Sequence, residues 1–249
     1  MNWLKLSSPS SARSKVMAFL LMTAWSSVTM AEQLPDFSAS FDIRVLGFHI
    51  GEAHQEMTCK GSECLLTSKA EPPGWARQFI NESAVEKIRL KQTNDQLKWL
   101  EYKKFLTRYY DDKTIHKTYT LVRNEKLNQV EYIEKKKSWP SQKHLYDVIS
   151  MAYGIQFQIL NKKPLTNLYL QDDKIQQKMN FTAKNEDDEI DLPFQDEAQT
   201  KLFAFHNGKI DAQLWLMPKL NYFPVRIIIL NKEEDRKIEL ELNHKPTLK

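Results

Sequence analysis

Four residues between His49 and Glu56 are of the types that hold metal ions: His49, Glu52, His54 and Glu56. Side chains two apart on a strand share a face, so Glu52, His54 and Glu56 would stand together. Imidazole and carboxylate ligands suit a divalent transition metal. Alternating charge is also what any solvent-facing strand presents, and no metal ligand is assigned on this reading. The other reactive side chains are the two cysteines, in Cys59-Lys-Gly-Ser-Glu-Cys64. Gly61-Ser62 fits a two-residue hairpin loop, which sets Lys60 opposite Glu63 and Cys59 opposite Cys64. Directly opposed strand residues are close enough for a disulfide. Reduced thiols or half a metal site are the alternatives. The spacing is not that of a redox pair, so the expected bond is a staple.

Other chemistry lacks its motifs. No Gly-rich phosphate loop, G-x-S-x-G elbow or H-E-x-x-H helix is present. With six glycines in 249 residues, backbone cradles for phosphate are scarce. Glu239 and Glu241 alternate with apolar residues and read as a solvated face. Glu186-Asp187-Asp188-Glu189 reads as an exposed loop, without the spaced ligands and glycine of a calcium loop. No catalytic residue and no cofactor is assigned.

The elements that would position any site are mostly strands. Phe37, Ala39, Phe41, Ile43 and Val45 alternate with polar residues, and the parity slips near Gly47, where a bulge or bend is expected. Further strands are expected at 82–92, 96–107, 115–123, 127–136, 166–171 and 174–183. Asn207-Gly208 is a hairpin signal that places Phe205 opposite Ile210 and Phe203 opposite Ala212. Phe203, Phe205, Ile210, Ala212, Leu214 and Leu216 then share a face with Val225, Ile227 and Ile229 and with Ile238, Leu240 and Leu242. One stretch breaks the period of two. In 147–160, Val148, Ala152, Ile155 and Ile159 follow helical spacing, with Asp147 placed to cap the first turn. These four are expected to cover the apolar face of the C-terminal strands. That face, Phe203 to Ile229, is either core or the lining of a cleft for a ligand.

Residues 1–31 have the order of a secretory signal: Lys5, Arg13 and Lys15, an apolar run from Val16 to Trp25, then Thr29-Met30-Ala31. Cleavage is expected before Glu32, leaving one β-rich domain over 32–249 in the periplasm or outside the cell. The remaining chain carries 33 basic and 32 acidic residues. That balance argues against a nucleic-acid partner. The basic run Lys135-Lys136-Lys137 reads as a solvated strand end. No later run is long and apolar enough for a membrane helix.

Several segments, in order, resemble one bacterial family. They are GFHIGEA at 47–53, NES at 81–83, DVISMAYGIQ at 147–156 and LWLMPKLNYFPVRIIIL at 214–230. The family is domain of unknown function 3108, whose members are secreted, mostly periplasmic β proteins. The family helix often opens Asp-Pro-Leu-Ser, where this chain has Asp147-Val148-Ile149-Ser150. The resemblance implies fold and location, and brings no catalytic residues.

The expected fold is mainly β: a single large curved antiparallel sheet or unclosed barrel with one helix packed across it. This architecture is similar to that of periplasmic lipoprotein carriers, a likeness of fold only. The expected function is non-catalytic binding or carriage of an apolar or amphipathic ligand, such as a lipid, in the envelope. The alternatives are an assembly partner for another envelope protein through an exposed sheet edge, and a hydrolase with an unrecognised site.

Overall fold

Alternation of inward apolar and outward polar side chains produces one antiparallel sheet that takes in nearly every strand. The computed structural model describes residues 31–72, 81–233 and 235–249, and Ala31–Lys249 pack as one compact unit. Except for Ala31, the expected signal segment lies outside the described residues. The sheet comprises β1 (Phe37–Val45), β2 (Phe48–Lys60), β3 (Glu63–Glu71), β4 (Glu82–Gln92), β5 (Leu97–Tyr109), β6 (Thr114–Asn124), β7 (Gln129–Tyr132) and β8 (Lys137–Pro140). After the helix it continues with β12 (Asn180–Leu192), β13 (Gln195–His206), β14 (Ile210–Met217), β15 (Phe223–Asn231) and β16 (Arg236–Leu242). The order is β12-β13-β14-β15-β16-β1-β2 and on to β8, with the short β17 (Thr247–Leu248) on β1. The two edges, β12 and β8, do not pair with each other. The fold is therefore the expected curved, unclosed barrel.

A small second sheet comprises β9 (His144–Tyr146), β10 (Leu168–Gln171) and β11 (Gln176–Lys178); β11 meets one free edge and the loop that leads into β10 meets the other. Gln176 Nε2 donates to the Pro140 carbonyl of β8 at 3.0 Å, and Lys184 Nζ of β12 donates to the Leu165 carbonyl at 2.6 Å. The 127–136 expectation is broken here: Lys136 adopts a left-handed φ of 52° after the turn 133–135, and a new strand, β8, starts at Lys137.

The helix α1 spans Ser150–Leu160. Asp147 to Ile149 form a turn ahead of it, so the expected start was three residues early. Asp147 nevertheless caps: its Oδ1 accepts the Ile149 and Ser150 backbone N–H groups at 2.9 and 3.0 Å. The expectation of one covered apolar stripe is corrected. Every residue from Ser150 to Gln158 is buried, so α1 is a plug inside the curved sheet, whereas Val148 precedes it and is 46% exposed. Ala152 and Ile155 are buried and Ile159 is half-buried. Tyr153 stacks on Phe37 at 4.9 Å and meets Phe223 edge-on at 6.0 Å. Its hydroxyl donates to Gln55 Oε1 at 2.6 Å, a polar pair enclosed in the core.

Three further readings are corrected. The chain makes a four-residue turn over 207–210, because Asn207 Oδ1 accepts the N–H groups of Lys209 and Ile210 at 2.7 and 2.8 Å. Phe205 thus faces Ala212, and Phe203 faces Leu214. The shift is two residues, so the inward face survives. The acidic run 186–189 lies inside β12, and the expected strand 174–183 is divided between β11 and β12. Lys201 pairs with Asp187 at 2.6 Å and the Trp215 indole donates to Asp188 at 2.7 Å, partners that keep the acids on the sheet. The cysteine hairpin has its expected register: Lys60 faces Glu63, and Cys59 is bonded to Cys64.

Gly154 lets the helix approach β9. A Cβ there would lie 2.3 Å from Cζ of the Tyr146 ring. Alanine normally stabilises a helix by about 1 kcal/mol over glycine. Here Gly154→Ala should lower stability by about 1–3 kcal/mol through overpacking, read as a lower urea midpoint. A raised midpoint would contradict this packing.

Candidate functional site

Inside the curved sheet the apolar lining gives way to charge on β4 to β6. Inward residues of β4 run Glu82, Ala84, Glu86, Ile88 and Leu90, and those of β5 include Tyr102, Lys104, Leu106 and Arg108. Glu86 faces Lys104, which faces Tyr119 on β6. These side chains, with Asp147, Val148, Leu170, Ile210 and the β10–β11 turn Asp172-Asp173-Lys174, line a cleft of about 480 Å³.

Its charges are held in pairs. Glu86 is mostly buried; its Oε1 accepts the Tyr102 hydroxyl at 2.6 Å and lies 3.3 Å from Lys104 Nζ. Burial, then the neighbouring Glu86 charge, pushes the Tyr102 hydroxyl well above the ordinary phenol range. Arg108 Nε is 2.5 Å from Glu82 Oε1 at the outer margin. Asp147 is fully enclosed, and burial raises its carboxyl above the usual value against the pull of its hydrogen bonds to Ser150 and Ile149. Its Oδ2 accepts the buried Trp99 indole N–H at 2.9 Å and the Ser150 hydroxyl at 2.5 Å.

An apolar crevice adjoins the charged cleft and shares Val148, Leu170 and Ile210 with it. Its remaining lining includes Met151, Ala152, Met179, Phe205, Leu214, Ile227 and Ile229. The free volume is about 30 Å³, roughly one water molecule's share of liquid. Of the face expected to meet core or ligand, Phe205, Ile210, Leu214, Ile227 and Ile229 line this crevice. Phe203, Leu216 and Val225 are fully buried in the core beside it. Of the four expected helix residues, Val148 and Ala152 reach the crevice and Ile155 and Ile159 do not.

The charged cleft was not singled out from sequence. Its signal is parity: Glu82 and Glu86 fall on the same face as Ala84, Ile88 and Leu90. A charged residue in an apolar register either finds a partner or marks an opening. The partners, Lys104 and Arg108, lie one strand away in a register that the bulge between Arg89 and Leu90 shifts. Of the metal candidates, Glu52 and His54 do share the outer face, opposite Asp42 and Ser40. Among the described residues the group that converges is Asp42, His49 and Glu52. His54 instead meets Ser40 Oγ through Nδ1 at 3.0 Å, and Glu56 stands two residues beyond it, opposite Ser38.

No protein-family model matches the chain, so none supports the particular family that its motifs resemble. No curated protein matches it either. Among solved structures it is similar to a beta-barrel-like protein of domain of unknown function DUF1849 from Brucella abortus. The two share 8% identity with a TM-score of 0.50, over 87% of this chain and 99% of that one. The likeness is one of fold, and it agrees with the unclosed barrel described above.

The site's geometry rests on Asp147. Asp147→Ala should cost about 2–4 kcal/mol, from a lost cap of about 1 and an orphaned indole donor of about 1–3. Urea unfolding reads the loss. Replacing Trp99 with Phe on top of it should then add less than it does in the wild type, because the donor it removes is already unpaired. Full additivity would contradict the assignment.

Proposed function

We propose that the protein is an exported envelope protein that binds an amphipathic small molecule without transforming it. The observation that carries this reading is the shared wall of Val148, Leu170 and Ile210. It joins a charged cleft large enough for a polar head to an apolar crevice for the start of a tail. Met151 and Met179 line the crevice, and unbranched thioether side chains repack readily, so an apolar chain can enter by displacing them. Export is supported by the residue order of 1–31 and by a disulfide, which persists in oxidising compartments. Membership of the family its motifs resemble belongs to the same proposal. Among the described residues no helix is long and apolar enough to cross a membrane.

Two other readings are weaker. Assembly through an edge would use β12, a 13-residue edge strand. Its three register irregularities and its exposed acids are devices that blunt edges. Hydrolysis would need a free acid, base or nucleophile in the cleft. Asp147 is occupied by four donors, Ser150 donates to it, and Glu86 is held by Tyr102 and Lys104.

Titration of the purified protein with a fluorescent single-chain lipid tests the proposal. Binding should saturate, and Ile210→Glu at the shared wall should weaken it by about tenfold or more, equivalent to about 1.4 kcal/mol. Leu127→Glu, at an exposed apolar residue in the β6–β7 turn, should leave it unchanged. Non-saturating uptake, or equal loss in both variants, would overturn the proposal.

A further inference from the structure

We infer that Asp42, His49 and Glu52 form a binding site for a divalent first-row transition metal on the outer face of β1 and β2. Each offers one ligand atom, and these atoms lie within 4.8 Å of one another. Small side-chain rotations would bring them to the bond lengths of about 2.0–2.2 Å that such ions take from imidazole and carboxylate.

The backbone is built to put His49 there. Ile43 faces Gly51, so an unbroken ladder would set Arg44 opposite Ile50 and Val45 opposite His49. The imidazole would then follow the inward parity of Gly51 and Ala53. Instead the register shifts after Ile43, Arg44 faces His49, and Ile50 is the extra residue. That bulge turns His49 outward, onto the face of Asp42 and Glu52. Bulges commonly re-aim a side chain in this way. The hairpin then closes through Leu46 and Gly47, both at positive φ (51° and 85°), which accommodates the residue count.

Charge supplies a second, independent argument. Asp42 faces Glu52, and Glu52 faces Glu71 on β3, so three acids stand in one row across three strands. Like charges directly opposite one another are unfavourable in a sheet, and a cation at His49 would offset that cost. The nearest protein cation does not take this place. Arg44 Nη2 lies 3.7 Å from Asp42 Oδ2, but its Nη1 bonds Glu241 at 3.0 Å. That arrangement leaves Asp42 Oδ1 turned toward His49 Nε2, 3.7 Å away, with Asn243 Nδ2 at 3.4 Å. Fixed outer partners of this kind orient metal ligands. Beside His49 and Glu52 is a hollow next to Gly51, with room for water to complete the coordination. An imidazole in the set favours zinc, nickel or copper over the all-oxygen preference of magnesium and calcium.

Calorimetric titration of zinc into the purified, chelator-treated protein tests the site. One ion per chain should bind, and a large excess of magnesium should not displace it. His49→Ala and Asp42→Asn should each weaken binding by about tenfold or more, as loss of a ligand or of its orientation does. His54→Ala, on the same face but outside the ligand group, should leave it nearly unchanged. Circular dichroism and thermal melts of the zinc-free variants establish that they are folded. Absence of binding to the folded wild type would overturn the inference. So would binding that survives His49→Ala in a folded protein, or binding lost equally in His54→Ala.

Discussion

One buried carboxylate sets the position of the helix around which the sheet curves. Asp147 Oδ1 closes the first turn of α1, and Oδ2 ties that turn to Trp99 on β5 and to the Ser150 hydroxyl. Removing a carboxylate from water is costly, and four donors offset the cost at the price of a fixed geometry. The helix that follows has no solvent face until Ile159. Such a helix has little reason to exist outside its barrel, because isolated helices of 11 residues are marginal in water. Helix and sheet therefore form together. The other end of α1 is held by polar contacts: Gln158 Nε2 donates to the Asp95 carbonyl, and Asn161 exchanges two hydrogen bonds with the backbone of Glu32.

That placement fills one part of the interior and leaves another to charged side chains. Against α1, Tyr153, Phe37 and Phe223 form one aromatic cluster, and Trp99 is fully buried. Beyond it, on β4 and β5, the inward positions include the charged residues Glu82, Glu86, Lys104 and Arg108. A folded sheet gains nothing from paired charges on its concave face that apolar residues would not supply. Their presence next to an exposed Val148 and an apolar crevice is the physical basis for reading an amphipathic site there. The metal inference concerns the opposite, convex face and is independent of it.

Much of this was legible in the sequence, and the failures have definite causes. Period-two patterning placed most strands and the inward face from Phe203 to Leu242 correctly, because a register slip would expose every apolar residue at once. Gly61-Ser62 identified the cysteine pairing, because local turn chemistry decides it. Asn207-Gly208 misled by two residues, since the Asn207 side chain captured the turn instead of leaving a two-residue loop. The helix pattern at Val148, Ala152, Ile155 and Ile159 suggested one apolar stripe. Ser150, Gln156 and Gln158 are polar, yet each is buried and hydrogen-bonded. Side-chain polarity alone cannot tell a solvated position from a satisfied buried one. The charged cleft and the Asp42–His49–Glu52 group both depend on bulges that bring residues from different strands into one row. No single-strand pattern reveals those.

The helix α1 is the enclosed plug around which the open sheet curves, and native-state hydrogen exchange measures this most directly. The amides of Ile155, Gln156 and Phe157 should exchange only through global unfolding, with the same free energy as the slowest amides of β1 and β15. Exchange of these helix amides through a local opening of clearly lower free energy, while β1 and β15 stay protected, would contradict the account.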